Sequence, residues 1–149
     1  MSALETRVPP PLVALILGAL AWLAGGPALE FPGRTTLALH AAALGLAIEI
    51  VAALAFVKRR TTLLPWAPDR SETLVTSGLF RFSRNPMHAG QALLLAAWVL
   101  YLGTWIAWLA LPGYVLYMNR FQIGPEERML AAKFGAAYDD YRARVRRWL

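Results

Sequence analysis

A chain of 149 residues that is 58% hydrophobic, with a mean hydropathy of +0.45, is one domain long and too apolar for an ordinary soluble domain. It has no cysteine, which excludes disulfides, thiolate metal sites and a cysteine nucleophile together. The formal charge is +6, yet thirteen of the fifteen Lys and Arg residues lie between the second and third apolar runs or from the end of the fourth onward, the distribution of a membrane topology signal rather than of a nucleic-acid-binding face.

In chain order, Pro9-Pro10-Pro11 bars a helix until Leu12. Leu12 to Gly26 is a short apolar run closed by Gly25-Gly26-Pro27, read as a first transmembrane helix rather than a cleaved leader. Glu30-Phe31-Pro32-Gly33-Arg34 makes a turn. Thr36 to Val57 is long enough for a second span, since a hydrocarbon layer needs about 20 residues. Glu49 lies near its centre and His40 nearer one end. An ionisable group at that depth faces the bundle or water rather than lipid, so Glu49 is either a functional group or a hydrogen-bonded interhelical contact.

Lys58-Arg59-Arg60 closes the second span, and Pro65-Trp66-Ala67-Pro68 opens a polar, basic loop. Ser77-Gly78 marks a turn within it. Asn85-Pro86 predicts a helix start, with Asn at the N-cap and Pro at the first helical position. Met87 to Leu102 and Trp105 to Phe121, joined by Gly103-Thr104, read as a helical hairpin of two short limbs, the second kinked at Pro112-Gly113. After Phe121, Gly124-Pro125-Glu126-Glu127 starts a new helix with its carboxylates at the positive end of the dipole. Leu130, Phe134, Tyr138, Tyr141, Val145 and Trp148 then form one apolar stripe, interrupted at Gly135, on an arginine-rich helix suited to an anionic leaflet.

The expected fold is therefore all-α: a polytopic membrane protein with four transmembrane helices and a C-terminal amphipathic helix. Four spans place both termini on one side. The positive-inside bias puts them, the central loop and the last helix in the cytoplasm, here of a bacterial inner membrane. Irregular backbone at such a boundary persists only where it packs on protein or lines a cavity.

Chemistry is constrained mostly by elimination. His40 and His88 are the only histidines and sit in different segments, so no metal site is expected. There is no nucleophile elbow, GxGxxG or P-loop, and no aromatic interleaving of the basic residues that would stack bases. What remains is the helix start at Asn85-Pro86, whose free N–H groups can receive a carboxylate. Arg81 and Arg84 stand before it, and the Glu126-Glu127 pair supplies opposing charge.

The segments Thr73-Leu74-Val75-Thr76-Ser77-Gly78, Arg84-Asn85-Pro86-Met87-His88-Ala89-Gly90 and Glu126-Glu127 with Phe134-Gly135, Tyr138 and Tyr141 resemble the isoprenylcysteine carboxyl methyltransferase family. More broadly they resemble the integral-membrane methyltransferases that include phospholipid N-methyltransferases. The resemblance covers about residues 59–148 and implies one domain, with two leading spans in 1–57 and a cofactor-binding core in 58–149. It implies S-adenosylmethionine as methyl donor and a lipid-like or small hydrophobic acceptor reached from the membrane lipids. Carried over by motif, Glu72, Thr73, Leu74, Val75, Phe80, Asn85, Pro86, Met87, His88 and Glu126 would contact the cofactor. The family pattern has His before the proline and Tyr two after it, where this chain has Asn85 and His88. Prenylcysteine enzymes place a basic residue four before the first glutamate; here that place holds Gln122, with Arg120 the nearest cation, which argues against a prenylcysteine acceptor.

Methyl transfer from a sulfonium is an in-line displacement that asks for alignment and exclusion of water. For an amine acceptor Glu127 or His88 would take the proton. Adjacent glutamates diverge by about 100° on a helix, so one of the two faces the ligand. Two other readings remain: an NADPH-dependent membrane reductase of the sterol-reductase type, and a non-catalytic membrane scaffold.

Overall fold

The computed structural model describes residues 5–27, 29–58 and 73–149. These form six α-helices: α1 (Pro10–Ala24), α2 (Arg34–Lys58), α3 (Pro86–Leu102), α4 (Ala110–Tyr117), α5 (Gly124–Phe134) and α6 (Ala136–Arg144). Short 3-10 turns at Gly78–Arg81 and Ile106–Leu109 precede α3 and α4, and a π-turn at Met118–Ile123 joins α4 to α5. Among the described residues there is no strand, only an isolated parallel bridge between Ser83 and Arg146.

α1 begins at Pro10, earlier than the prolines suggested. Both sit in the first turn, where no N–H is needed, and Leu12 and Val13 bond back to the Pro9 carbonyl at 2.9 and 3.3 Å. The fourth limb differs more. Chain continuity through Met118–Ile123 replaces the expected stop at Phe121, because the Gly124 N–H reaches the Asn119 carbonyl, five residues back. Pro125 then lies inside a continuous helical rod. Pro112 and Gly113, where a kink was expected, lie within the first turn of α4, which starts at Ala110 directly after the 3-10 turn Ile106–Leu109. The final helix breaks at Gly135 (φ 52°), where its stripe was interrupted in sequence, but α6 stops at Arg144, so Val145 and Trp148 belong to an extended tail rather than to the helix.

One helix among the described residues, Arg34–Val57, is by itself long and apolar enough to cross a membrane. α1 and α3, at 15 and 17 residues, are shorter apolar helices. Their packing is tightest where α2 meets α3. A Cβ on Gly45 would lie 2.9 Å from the Gly90 carbonyl, and one on Gly90 would lie 2.9 Å from the Gly45 carbonyl and 2.8 Å from Glu49 Cγ. Only hydrogen fits at either place, which lets the backbones approach as small residues do in membrane helix pairs. A core of Val13, Ala21, Leu95, Val99, Ala107, Ala110, Tyr114, Met118 and Ile123 joins α1, α3 and the α4–α5 rod. Trp98 fixes α1 further by donating its indole N–H to the Gly18 carbonyl at 3.0 Å.

The two ends of this bundle differ in character. At one end Arg34 donates to the Leu29 carbonyl at 2.9 Å and the Leu29 N–H bonds the Gly103 carbonyl. An open groove of about 450 Å³ between Glu30 and Thr36 lies there, on the turn before α2. At the other end the segment 73–86, residues 5–8, the π-turn and the C-terminal tail all meet.

Candidate functional site

The polar end is assembled by the tail. Val145 is extended (φ −120°, ψ 132°), and the tail runs beside 83–85. The Arg84 N–H donates to the Arg146 carbonyl at 2.9 Å, Asn85 Nδ2 to the Arg147 carbonyl at 2.9 Å, and the Asn85 N–H to Ser83 Oγ at 3.0 Å. Asn85 thus holds the N-cap position of α3, but its side chain makes no cap hydrogen bond; it binds the tail instead. Pro86 occupies the first helical position as expected.

Arg84 is the hub. Its Nη1 donates to the Arg142 and Val145 carbonyls at 3.0 and 2.8 Å, serving acceptors that the end of α6 leaves open. Its Nη2 reaches Glu127 at 2.7 Å. Arg147 takes the other side of the same carboxylate, through Nε at 3.1 Å and Nη2 at 2.5 Å. Burial alone would raise the Glu127 pKa; hydrogen bonds and charge from Arg147 and Arg84 outweigh it and hold the group below the usual carboxylate range. Glu127, expected to accept a proton, has both oxygens committed to guanidinium groups.

Glu126 has the opposite surroundings. One residue along the helix is a rotation of about 100°, which turns the half-buried Glu126 away from the guanidinium groups, and burial raises its pKa to about 7 despite a hydrogen bond from Gln122 Nε2. Gln122 is 1% exposed. Two adjacent carboxylates are therefore pushed apart, one fixed as an anion and one able to change charge near neutrality.

The expected apolar contacts are also gathered. Val75 and Phe80 are buried against Ala52, with Ala55, Phe56, Leu79 and Met87 around them. Phe56 meets the edge of Phe80 at 5.3 Å between ring centroids. Tyr141, whose phenol burial lifts to about 12, keeps its proton and donates to the Phe80 carbonyl at 2.8 Å. Thr73 is exposed and Leu74 half-buried, while Glu72 lies outside the described residues. His88 is 9% exposed and its Nε2 is buried with no hydrogen-bond partner, the one expected cofactor residue with an unfilled polar atom. Arg120 turns away from this set, 60% exposed, to pair with Glu5 at 3.2 Å.

Several participants were invisible to sequence reasoning. Glu5 is buried and paired to Arg120 and Arg128 (3.2 and 3.1 Å), and nothing in its neighbourhood signals this. Arg147 looked like one topology charge among many. Gln91, which accepts the Tyr114 hydroxyl at 2.8 Å, could have been found as a lone amide within an apolar run. Among the described residues no group of His, Asp and Glu could hold a metal ion.

Comparison with known proteins agrees with the motifs. The model of the family described as phospholipid methyltransferase matches residues 34–137, well over half of the chain. An uncharacterized protein of Haemophilus influenzae (strain ATCC 51907 / DSM 11121 / KW20 / Rd) is 46% identical over 63 residues, which is 42% of this chain and all of that protein. With its family segment spanning α2 through α5 and the polar end just described, the chain belongs to the phospholipid methyltransferase family of integral-membrane methyltransferases.

Proposed function

We propose that the protein is an S-adenosylmethionine-dependent methyltransferase for a lipid-like acceptor, crossing the membrane four times with both termini cytoplasmic. The observation that carries this is the Arg84–Glu127 ion pair at 2.7 Å, which brings the α5 start with its protonatable Glu126 to the α3 start at Asn85–His88, at the end where tail, loop and π-turn meet. Those residues fit the donor. Val75, Phe80 and Met87 offer an apolar wall for an adenine, the first turn of α3 offers N–H groups for a carboxylate, and Glu126 offers an acceptor for an amino group or ribose hydroxyl. His88 Nε2 stands ready for a polar atom. The bound donor supplies an electrophilic methyl group and needs no nucleophile from the protein.

The chain's own residues then act as holders. Glu127, with Arg84 and Arg147, ties loop, α5 and tail together; Gln122 orients Glu126; Arg120 serves the Glu5 contact. The four-span topology is supported by the apolar outer faces of the helices. Leu15, Leu20 and Leu23 of α1, Leu39, Leu44 and Val57 of α2, and Leu109 and Leu116 of the fourth limb are all exposed, far beyond what water tolerates on a monomer. At the end away from the site, exposed Trp22, Tyr101, Trp105 and Trp108 match the aromatic belt of a membrane interface.

The test is calorimetric titration of S-adenosylmethionine, and separately NADPH, into purified protein in nanodiscs. Binding of the first, lost in Glu126→Ala, is the expected result. Binding of NADPH alone would favour a reductase, and binding of neither a scaffold.

A further inference from the structure

A polar row lies inside the bundle, apart from the residues given a role above. Glu49 crosses Gly90 at the point where α2 and α3 nearly touch. Gln91, the next residue on α3, hydrogen-bonds Glu49 and accepts the Tyr114 hydroxyl at 2.8 Å. An amide can serve both, because it carries an acceptor oxygen and a donor NH₂. Tyr114 is fully buried, Gln91 is 8% exposed, and Glu49 is only half-buried. The row therefore runs from a sealed phenol to a carboxylate that opens outward, and no cation among the described residues pairs with it.

Its depth matters. Ala52, three residues on from Glu49, packs against Val75 and Phe80. His88, three residues before Gln91, holds the unpaired Nε2. The row thus sits about one helical turn beneath the residues assigned to the donor, on the side of the bundle interior. A half-buried carboxylate among apolar neighbours is expensive unless something pairs with it. A head group that donates hydrogen bonds would satisfy it, whereas a carboxylate head would meet like charge.

We propose that Glu49, positioned by Gln91 and Tyr114, is a subsite for the acceptor's head group, selecting an amphiphile with a hydrogen-bond-donating head over one with a carboxylate. The proposal rests on the methyltransferase reading for the identity of the occupant. It is tested by protection: protein in phosphatidylcholine nanodiscs is labelled with a hydrophobic carbodiimide and Glu49 modification is mapped by mass spectrometry, with dodecylamine or dodecanoate as probe. Dodecylamine should cut labelling of Glu49 and dodecanoate should not. Tyr114→Phe, which keeps the ring, should raise the dodecylamine concentration needed by about tenfold. Equal protection by both probes, no protection by the amine, a Glu49 that never labels, or an unchanged Tyr114→Phe would each overturn the subsite. The S-adenosylmethionine titration separates the two failures: donor binding without protection sinks the subsite alone, and protection without donor binding keeps the subsite and sinks the methyltransferase reading.

Discussion

The Thr6 N–H donates to the carbonyl of Phe121 at 2.9 Å. An α-helix would pair that carbonyl with the N–H of residue 125, which here is a proline. The preceding Glu5 carboxylate bonds Arg120 and Arg128 on either side. The segment before α1 thus acts as a strap over the one irregular stretch of the rod, the stretch that carries Gln122. Glu5→Gln should lower unfolding stability by about 1–2 kcal/mol, since hydrogen bonds to a buried charge are lost. Arg120→Ala, on an exposed partner, should cost under about 1 kcal/mol. Hydrogen exchange in detergent should show faster exchange at 118–124 in Glu5→Gln; unchanged protection there would refute the strap.

The Arg84–Glu127–Arg147 clamp gives a graded prediction. The side chains of Arg84 and Glu127 are 10% and 12% exposed, and that of Arg147 is 41% exposed. Glu127→Ala strands Arg84 and should cost about 3–5 kcal/mol. Arg147→Ala should cost less, because the lost partner is half in water. A double-mutant cycle between Arg84 and Glu127 should return a coupling well above that between Arg147 and Glu127. Thermal unfolding of the six proteins (wild type, three single and two double variants) in one detergent decides it.

The two glutamates respond to pH in opposite senses. The Glu127 pKa is lowered in the fold from 4.5, so its stabilisation is full above that value and lost as pH falls below it. The Glu126 pKa is raised from 4.5 to about 7, so stability from its protonated form is full below 4.5 and lost as pH rises toward 7. Unfolding followed from pH 3 to 8 should therefore show Glu126→Gln flattening the neutral limb and Glu127→Gln flattening the acid limb. A swapped pattern would refute the assignment.

Gly90→Ala should force α2 from α3, because the new methyl group would meet both Glu49 Cγ and the Gly45 carbonyl under 3.0 Å. Overpacking of this kind costs about 1–3 kcal/mol. Gly45→Ala should behave alike, and the pair should be less than additive because each relieves the other's clash. Gly33→Ala, with nothing within 4 Å of its Cβ, serves as the comparison for a strained backbone without a clash.

Helix positions were legible because apolar runs bounded by Gly and Pro carry their own punctuation. α3 begins at Pro86 and ends at Leu102 for reasons written in Asn85-Pro86 and Gly103. The π-turn was not legible. Met118–Ile123 has no composition of its own, and Gly124-Pro125 reads as a stop unless a distant N–H covers Phe121. The site followed the same division. Asn85, Phe80 and Glu126 could be named from local motifs, whereas the partnership of Arg84 with the Arg142 and Val145 carbonyls joins segments nearly sixty residues apart. Charge at Arg147 also could not announce its use, since arginines there serve topology equally well.

The π-turn has a consequence for how the rod tolerates length change. If ordinary α geometry ran through Met118–Ile123 with all six residues kept, everything beyond would turn by about 100°. Glu126 would then swing toward the twin guanidinium groups, and Pro125 would take its place beside Gln122. Removing one residue at the same time would cancel that turn, so a single deletion within those six positions should be tolerated where the same deletion inside α3 would not.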